Sequence, residues 1–145
     1  MTRFFLIVIA GFILLASCER IETGNKLDAK TIEKIKNLGL LSENEKIIKF
    51  YSNYTKQKAG NFFTDKRIAH YWLDKDDQSK TEVSFAYYQD IVAIDTTFHV
   101  PDFDIPYMTV KKNDSTSFRV FIDGTHEQEN AFFTEAINTW KSKKK

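Results

Sequence analysis

One cysteine, two prolines and five glycines are spread over 145 residues, and the charges of the two signs almost cancel. A single cysteine excludes a disulfide within the chain and any all-cysteine zinc site. So little proline and glycine excludes a collagen-like or low-complexity chain. A net charge of +1 argues against a dedicated nucleic-acid binder, which carries a basic surplus. The longest apolar run, residues 4–16, has 13 residues. As a helix it covers ~20 Å, short of the ~30 Å hydrocarbon core, so it is a poor permanent span. What is present is a composition 42% hydrophobic and 14% aromatic, too apolar for a disordered chain and sized for one domain.

The N-terminus reads MTRFFLIVIAGFILLASC. One cation (Arg3), an apolar middle and a small-residue exit are the parts of a secretory signal peptide. The exit, Leu15-Ala16-Ser17-Cys18, resembles the bacterial lipoprotein box, and it contains the chain's one cysteine. That resemblance implies cleavage before Cys18, a diacylglyceryl group on its thiol and acylation of the new amino terminus. Two or three acyl chains, at ~0.8 kcal/mol per buried methylene, exceed what stable anchoring requires. Residues 1–17 are therefore expected as a cleaved signal, and 18–27, polar and containing Thr23-Gly24-Asn25, as the lipidated cysteine and a flexible tether. Removing Arg3 from 21 basic residues leaves 20 against 20 acidic, so the anchor rather than net charge holds the mature chain to its membrane. Glu19 stands where, by resemblance to enterobacterial sorting, aspartate would retain a lipoprotein at the inner membrane. The expected location is thus the cell envelope, with the outer membrane favoured.

Beyond the tether, Asp28 is placed to cap a short helix within 28–41, where Ile32, Ile35 and Leu38 recur at spacings of three and Gly39 ends the run. Ser42 and Glu45 have capping-box spacing, read here as a single turn into a strand. From 45 to 122 the chain is rich in Ile, Val, Phe, Tyr and Thr, broken by polar turns every few residues. This predicts antiparallel strands at 46–53, 58–64, 67–73, 81–86, 91–97, 107–112 and 116–122. The segment 98–106 holds both prolines and is excluded as a central strand. Thr125 and Gln128 give a second capping box, opening a helix with Phe132, Phe133, Ala136, Ile137 and Trp140 on one broad face.

The order of elements, with GLLSENEKIIKFYS (39–52), NFFTDKRIAHYW (61–72), AYYQDIVAID (86–95) and FFTEAINTW (132–140), resembles a bacterial pleckstrin-homology-like (PH-like) domain over residues 42–145. The resemblance implies an α+β, mainly β fold: a bent seven-stranded antiparallel barrel closed by a C-terminal amphipathic helix. It also implies a binding or scaffold role, since known members mostly serve as such modules.

No residue pattern announces chemistry. His70, His99 and His126 fall on three different predicted elements, and HExxH, GxSxG, GxGxxG and P-loop motifs are all missing. His99, Asp102 and Asp104 share the Pro-flanked loop and read as solvated polar residues rather than metal ligands. The expectation is a non-enzymatic module without cofactor or metal, bound to the membrane by its anchor and to a protein or peptide partner. Phe98, Phe103 and Tyr107 of the Pro-flanked segment are the candidate interaction residues. Open strand edges are a second candidate contact, by strand addition. The alternative is a lipid- or anion-binding module using Lys56 and Lys58, in the stretch that resembles the basic first hairpin of phosphoinositide-binding pleckstrin domains, with Lys66 and Arg67 in the next turn. Asp95-Thr96 and Asp114-Ser115 resemble an envelope O-glycosylation acceptor, a motif too short to assign.

Overall fold

The computed structural model describes residues 20–98 and 105–144. The signal peptide, Cys18, Glu19, His99, Asp102, Phe103 and Asp104 lie outside the described residues. Eight strands are described: β1 (Ile21–Thr23), β2 (Ile47–Tyr51), β3 (Ala59–Thr64), β4 (Arg67–Trp72), β5 (Glu82–Tyr87), β6 (Ile91–Thr97), β7 (Tyr107–Lys112) and β8 (Ser117–Phe121). Two helices accompany them, α1 (Ala29–Asn37) and α2 (His126–Lys143). The strands form two antiparallel sheets, in the orders β1-β2-β3-β4-β5 and β6-β7-β8.

Two expectations are corrected. The described residues form eight strands rather than seven because Ile21–Thr23, expected within a flexible tether, pairs with β2 from Ile21↔Tyr51 to Thr23↔Lys49. The described strands do not close into a barrel. A single 3₁₀ turn, Tyr88–Asp90, carries the chain from β5 directly into β6 of the other sheet. Tyr88 is buried at this corner and its hydroxyl donates to the Thr64 carbonyl, so the two strands part instead of pairing.

β3 and β4 are buried along almost their whole length, the pattern of strands covered on both faces. On the inner face Tyr51, Phe63, Ile68 and Ala86 pack with Met108, Val110 and Val120 of the second sheet and with Phe132, Phe133 and Ala136 of α2. On the outer face Phe50, Phe62, Ala69 and Tyr71 pack under Ile35 of α1 and Leu40 and Leu41 after it. Each buried aromatic or aliphatic side chain contributes about 1.5–3 kcal/mol relative to exposure. Both layers therefore matter to stability.

Local chemistry places the two helices. The Asp28 carboxylate accepts from the Thr31 amide at 2.9 Å and its hydroxyl at 2.8 Å, capping α1. Gly39 ends the helix at φ +72, letting the Leu40 amide reach back to Ile35 and the Gly39 amide to Lys36. Leu40 is thereby folded onto the same cluster as Ile35. The Thr125–Gln128 capping box starts α2, whose Phe132 stands edge-on to Phe63 at 5.2 Å. Ile137 and Trp140 are only half-buried, so Phe132, Phe133 and Ala136 carry most of the helix's contact.

A buried ion pair fixes the segment between α1 and β2. Arg67, 2% exposed in its side chain, donates from Nε and Nη2 to the two oxygens of a fully buried Glu45 carboxylate, at 2.9 and 2.7 Å. It also donates to the Gly39 carbonyl at 3.1 Å and the Ser42 hydroxyl at 2.7 Å. Glu45 accepts in addition from the Thr64 hydroxyl at 2.6 Å and the Ser42 amide at 2.9 Å. Burial pushes the Glu45 carboxyl upward, but its bonds to Arg67, Thr64 and Ser42 outweigh this and hold it below the ordinary 4.5.

Two predictions follow from this packing. A Cβ on Gly60 would stand 2.3 Å from the Tyr71 ring and 2.7 Å from the Phe50 ring. Gly60→Ala is expected to cost about 1–3 kcal/mol by overpacking, read as a lower urea midpoint. Glu45→Gln, which leaves a buried guanidinium without its counter-charge, is expected to cost about 3–5 kcal/mol at neutral pH. Because the folded-state value of Glu45 is depressed, its stabilisation is complete above 4.5 and is lost as pH falls through the lowered value. The variant should flatten that part of the stability–pH curve. An unchanged urea midpoint at neutral pH would show that the pair does not clamp the fold.

Candidate functional site

The four basic residues expected as one anion patch are separated. Lys56 and Lys58 precede β3, whereas Lys66 and Arg67 follow it. Six residues of strand put the pairs roughly 15–20 Å apart at opposite ends of the sheet. Arg67 is withdrawn from solvent by Glu45, and a charge in a tight turn is here structural. Lys56 is ion-paired with Glu22, and Lys58 lies 4.6 Å from the centre of the Trp72 ring. Lys66 alone is exposed at the β3–β4 turn.

The candidate interaction residues are also largely committed to packing. Phe98 is half-buried, with its ring edge-on to Phe133 at 5.6 Å and to His126 at 5.4 Å. Tyr107 packs against Phe121 at 5.8 Å and under the Arg119 guanidinium at 4.4 Å. Both rings thus have partners within the fold while remaining half-exposed.

The described histidines do not converge. His126 opens α2, while His70 sits on β4, 6% exposed. Asn61 Oδ1 accepts from the Phe121 amide at 2.9 Å and faces His70 Nδ1 at the same distance, which assigns the ring proton to Nδ1. Asn61 so joins β3 to β8 across the two sheets. His70 Nε2 faces the Glu82 carboxylate at 3.6 Å. Burial lowers the His70 value below 6.5 against the opposing pull of Glu82, so the neutral ring is the resident form at neutral pH. Among the described residues no group of three or more His, Cys, Asp or Glu side chains is placed to hold a metal ion.

A different feature stands out by its backbone. β5 is an outer strand of the five-stranded sheet, paired with β4 in unbroken register from Arg67↔Tyr87 to Trp72↔Glu82. Its sequence, EVSFAY, has no proline, no lysine and no bulge, the devices that normally protect an edge. The other edges are protected or short. β1 has three residues, β6 carries a register shift between Ile91 and Ala93, and β8 is tied at Phe121 to Asn61. On β5, Val83 is 41% and Phe85 37% exposed, on the face that continues the outer core past the cover given by α1. Phe85 and Tyr87 meet edge-on at 5.4 Å, and the Arg67 guanidinium lies over them at 4.9 and 4.5 Å. Beside the strand runs a groove of about 410 Å³ bounded by Asp90, Lys112, Asn113 and Asp114. The alternation of Val83, Phe85 and Tyr87 was visible in the sequence, but only the sheet order shows that, among the described residues, β5 is paired with β4 alone and its other edge carries no strand.

No protein-family model and no curated protein matches this chain. Two solved structures are similar to it. One is a DUF1696 family protein with a pleckstrin-homology domain from Shewanella loihica PV-4, 12% identical, TM-score 0.52, covering 79% of this chain and 93% of its own. Another is a pleckstrin homology domain from Shewanella amazonensis SB2B, 12% identical, TM-score 0.45, covering 72% of this chain and 96% of its own. At such identity the first likeness shows the fold alone. With its two antiparallel sheets and C-terminal helix, the chain has a PH-like fold.

Proposed function

We propose that this chain is a bacterial envelope lipoprotein, anchored through Cys18, whose PH-like domain is a non-enzymatic interaction module. Its partner is a protein that adds an extended segment to the open edge of β5. The observation that carries this reading is the regular, unprotected β5 edge with exposed Val83 and Phe85 on one face. Main-chain hydrogen bonds along such an edge supply affinity, and alternate side chains supply specificity. A segment with apolar residues at every second position would set them beside Val83 and Phe85, over a surface stiffened by Arg67. The Leu15–Cys18 box supports the anchor and the envelope location, outer membrane favoured. The anion-binding alternative is not favoured, because Arg67 is paired internally and the remaining lysines stand at opposite ends of β3.

The test is in-cell photocrosslinking from a photoreactive residue at Ser84, in the full chain with its native Cys18. One reproducible protein adduct is expected, and Val83→Lys should strongly reduce it. A control probe at Thr134, on the exposed side of α2, should not form it. Adducts that are equal at the two positions, or absent from Ser84 alone, would refute docking on β5. In the same cells Cys18→Ser should move the protein from the membrane to the soluble fraction, and unchanged fractionation would refute the anchor.

A further inference from the structure

The point where the chain enters the domain is fixed by pairing. Ile21 lies opposite Tyr51, the last residue of β2, so Arg20 stands at the end of the sheet where the β2–β3 loop emerges. Lys56 of that loop forms an ion pair with Glu22, and Arg20 reaches Asp123 at 3.4 Å on the other side. Cys18 precedes Ile21 by three residues. Fully extended, three residues span at most ~11 Å. Acyl chains on Cys18 therefore bring a bilayer surface within that distance of this end of the sheet, in place of the loose ten-residue tether expected from composition.

The same end carries an aromatic cluster that the fold does not need for its core. Tyr54, 54% exposed, stands edge-on to the half-buried Trp72 at 4.8 Å. The Lys58 ammonium lies 4.6 Å from the Trp72 ring centre and 5.5 Å from that of Tyr54. The loop holding them is internally bonded: Ser52 Oγ to the Tyr54 backbone, the Lys58 amide to the Thr55 carbonyl, and the Leu73 amide to the Lys58 carbonyl. Tyr and Trp, apolar with one polar atom, favour the boundary between hydrocarbon and water, and a lysine stem can lie along apolar surface with its ammonium in water. Lys56 is paired with Glu22 and Arg20 with Asp123, and the Lys58 ammonium is near enough to Asp74 to help lower that carboxyl's pKa, so adhesion here rests on the rings rather than on anionic lipid.

We infer that this end of the domain is a membrane-contact face, with Tyr54 and Trp72 seated at the lipid–water interface of the bilayer that holds Cys18. The inference rests on the lipoprotein reading above, which alone fixes a bilayer so near to Ile21. Seating sets the strands of the larger sheet on end, with β5 leading away from the membrane.

The test uses the full lipidated chain reconstituted into phosphatidylcholine vesicles, with Trp140→Phe making Trp72 the one tryptophan. Nitroxide-labelled lipids then report depth. The expected result is a loss of Trp72 emission with label at the headgroup or the top of the acyl chain, less loss with label near the bilayer centre, and no effect of salt or added anionic lipid. Tyr54→Ala should weaken the quenching without releasing the protein. Protein that floats with the vesicles while Trp72 is unquenched would overturn the contact face and leave the anchor standing. Quenching that requires anionic lipid and vanishes in salt would overturn the aromatic seating. Protein that fails to float, behaving as Cys18→Ser does, would overturn the lipoprotein reading and this inference with it.

Discussion

Glu45 and Arg67 meet, out of water, where three segments of the outer layer come together. The turn after α1 contributes Gly39 and Ser42, the approach to β2 contributes Glu45, and the β3–β4 hairpin contributes Thr64 and Arg67. Desolvating both charges is costly, and the pair is tolerable only because nearly every lone pair and proton is satisfied. The result is that α1 and Leu40–Leu41 stay on the outer face of the larger sheet. That cover turns a sheet with one solvated side into one buried on both. The same guanidinium lies over Phe85 and Tyr87, so the pair that closes the outer core also touches the edge of the sheet.

The two sheets are joined differently. Rather than a continuous ladder, they share the apolar inner layer, the Tyr88 corner and the Asn61 side chain, whose oxygen takes the Phe121 amide and faces His70. Leaving the ladder open keeps β5 available. In the proposed lipoprotein this availability has a direction, because Glu82 of β5 pairs with Trp72 of β4 at the end assigned to the bilayer. A strand added along β5 would start near the lipid surface and extend outward along the sheet.

Much of this was legible from local chemistry. β6 and β7 have the bounds that their alternation predicts, and the Thr125–Gln128 box and the Asp28 cap stand where their spacing puts them. These signals concern neighbours in sequence, and neighbours decide them. β1 was not legible: three residues carry no periodicity, and Ile21–Thr23 becomes a strand only because β2 offers an edge and Lys56 a partner for Glu22. Arg67 was misread for a similar reason. A basic residue after a hairpin turn looks solvated, and its counter-charge, Glu45, sits 22 positions earlier in what reads as a self-contained turn. The openness of β5 is a property of sheet order, which no segment encodes by itself.

Three of the four cations expected to form an anion patch are taken up within the fold. Lys56 fastens the entry of the chain to a loop, Lys58 lies on an aromatic pair, and Arg67 closes the outer core. Each is occupied within the fold, and in the proposed mature lipoprotein, which would lack Arg3, the two signs balance. A chain held by acyl groups has no need of a basic face to find its membrane, since each buried methylene adds ~0.8 kcal/mol without regard to headgroup. Cations released from that task can be buried or stacked. The scattered basic turns therefore fit the short entry at Ile21 and the exposed Tyr54: in the proposed lipoprotein, the attachment that would make surface charge dispensable would also bring an aromatic loop to the lipid surface.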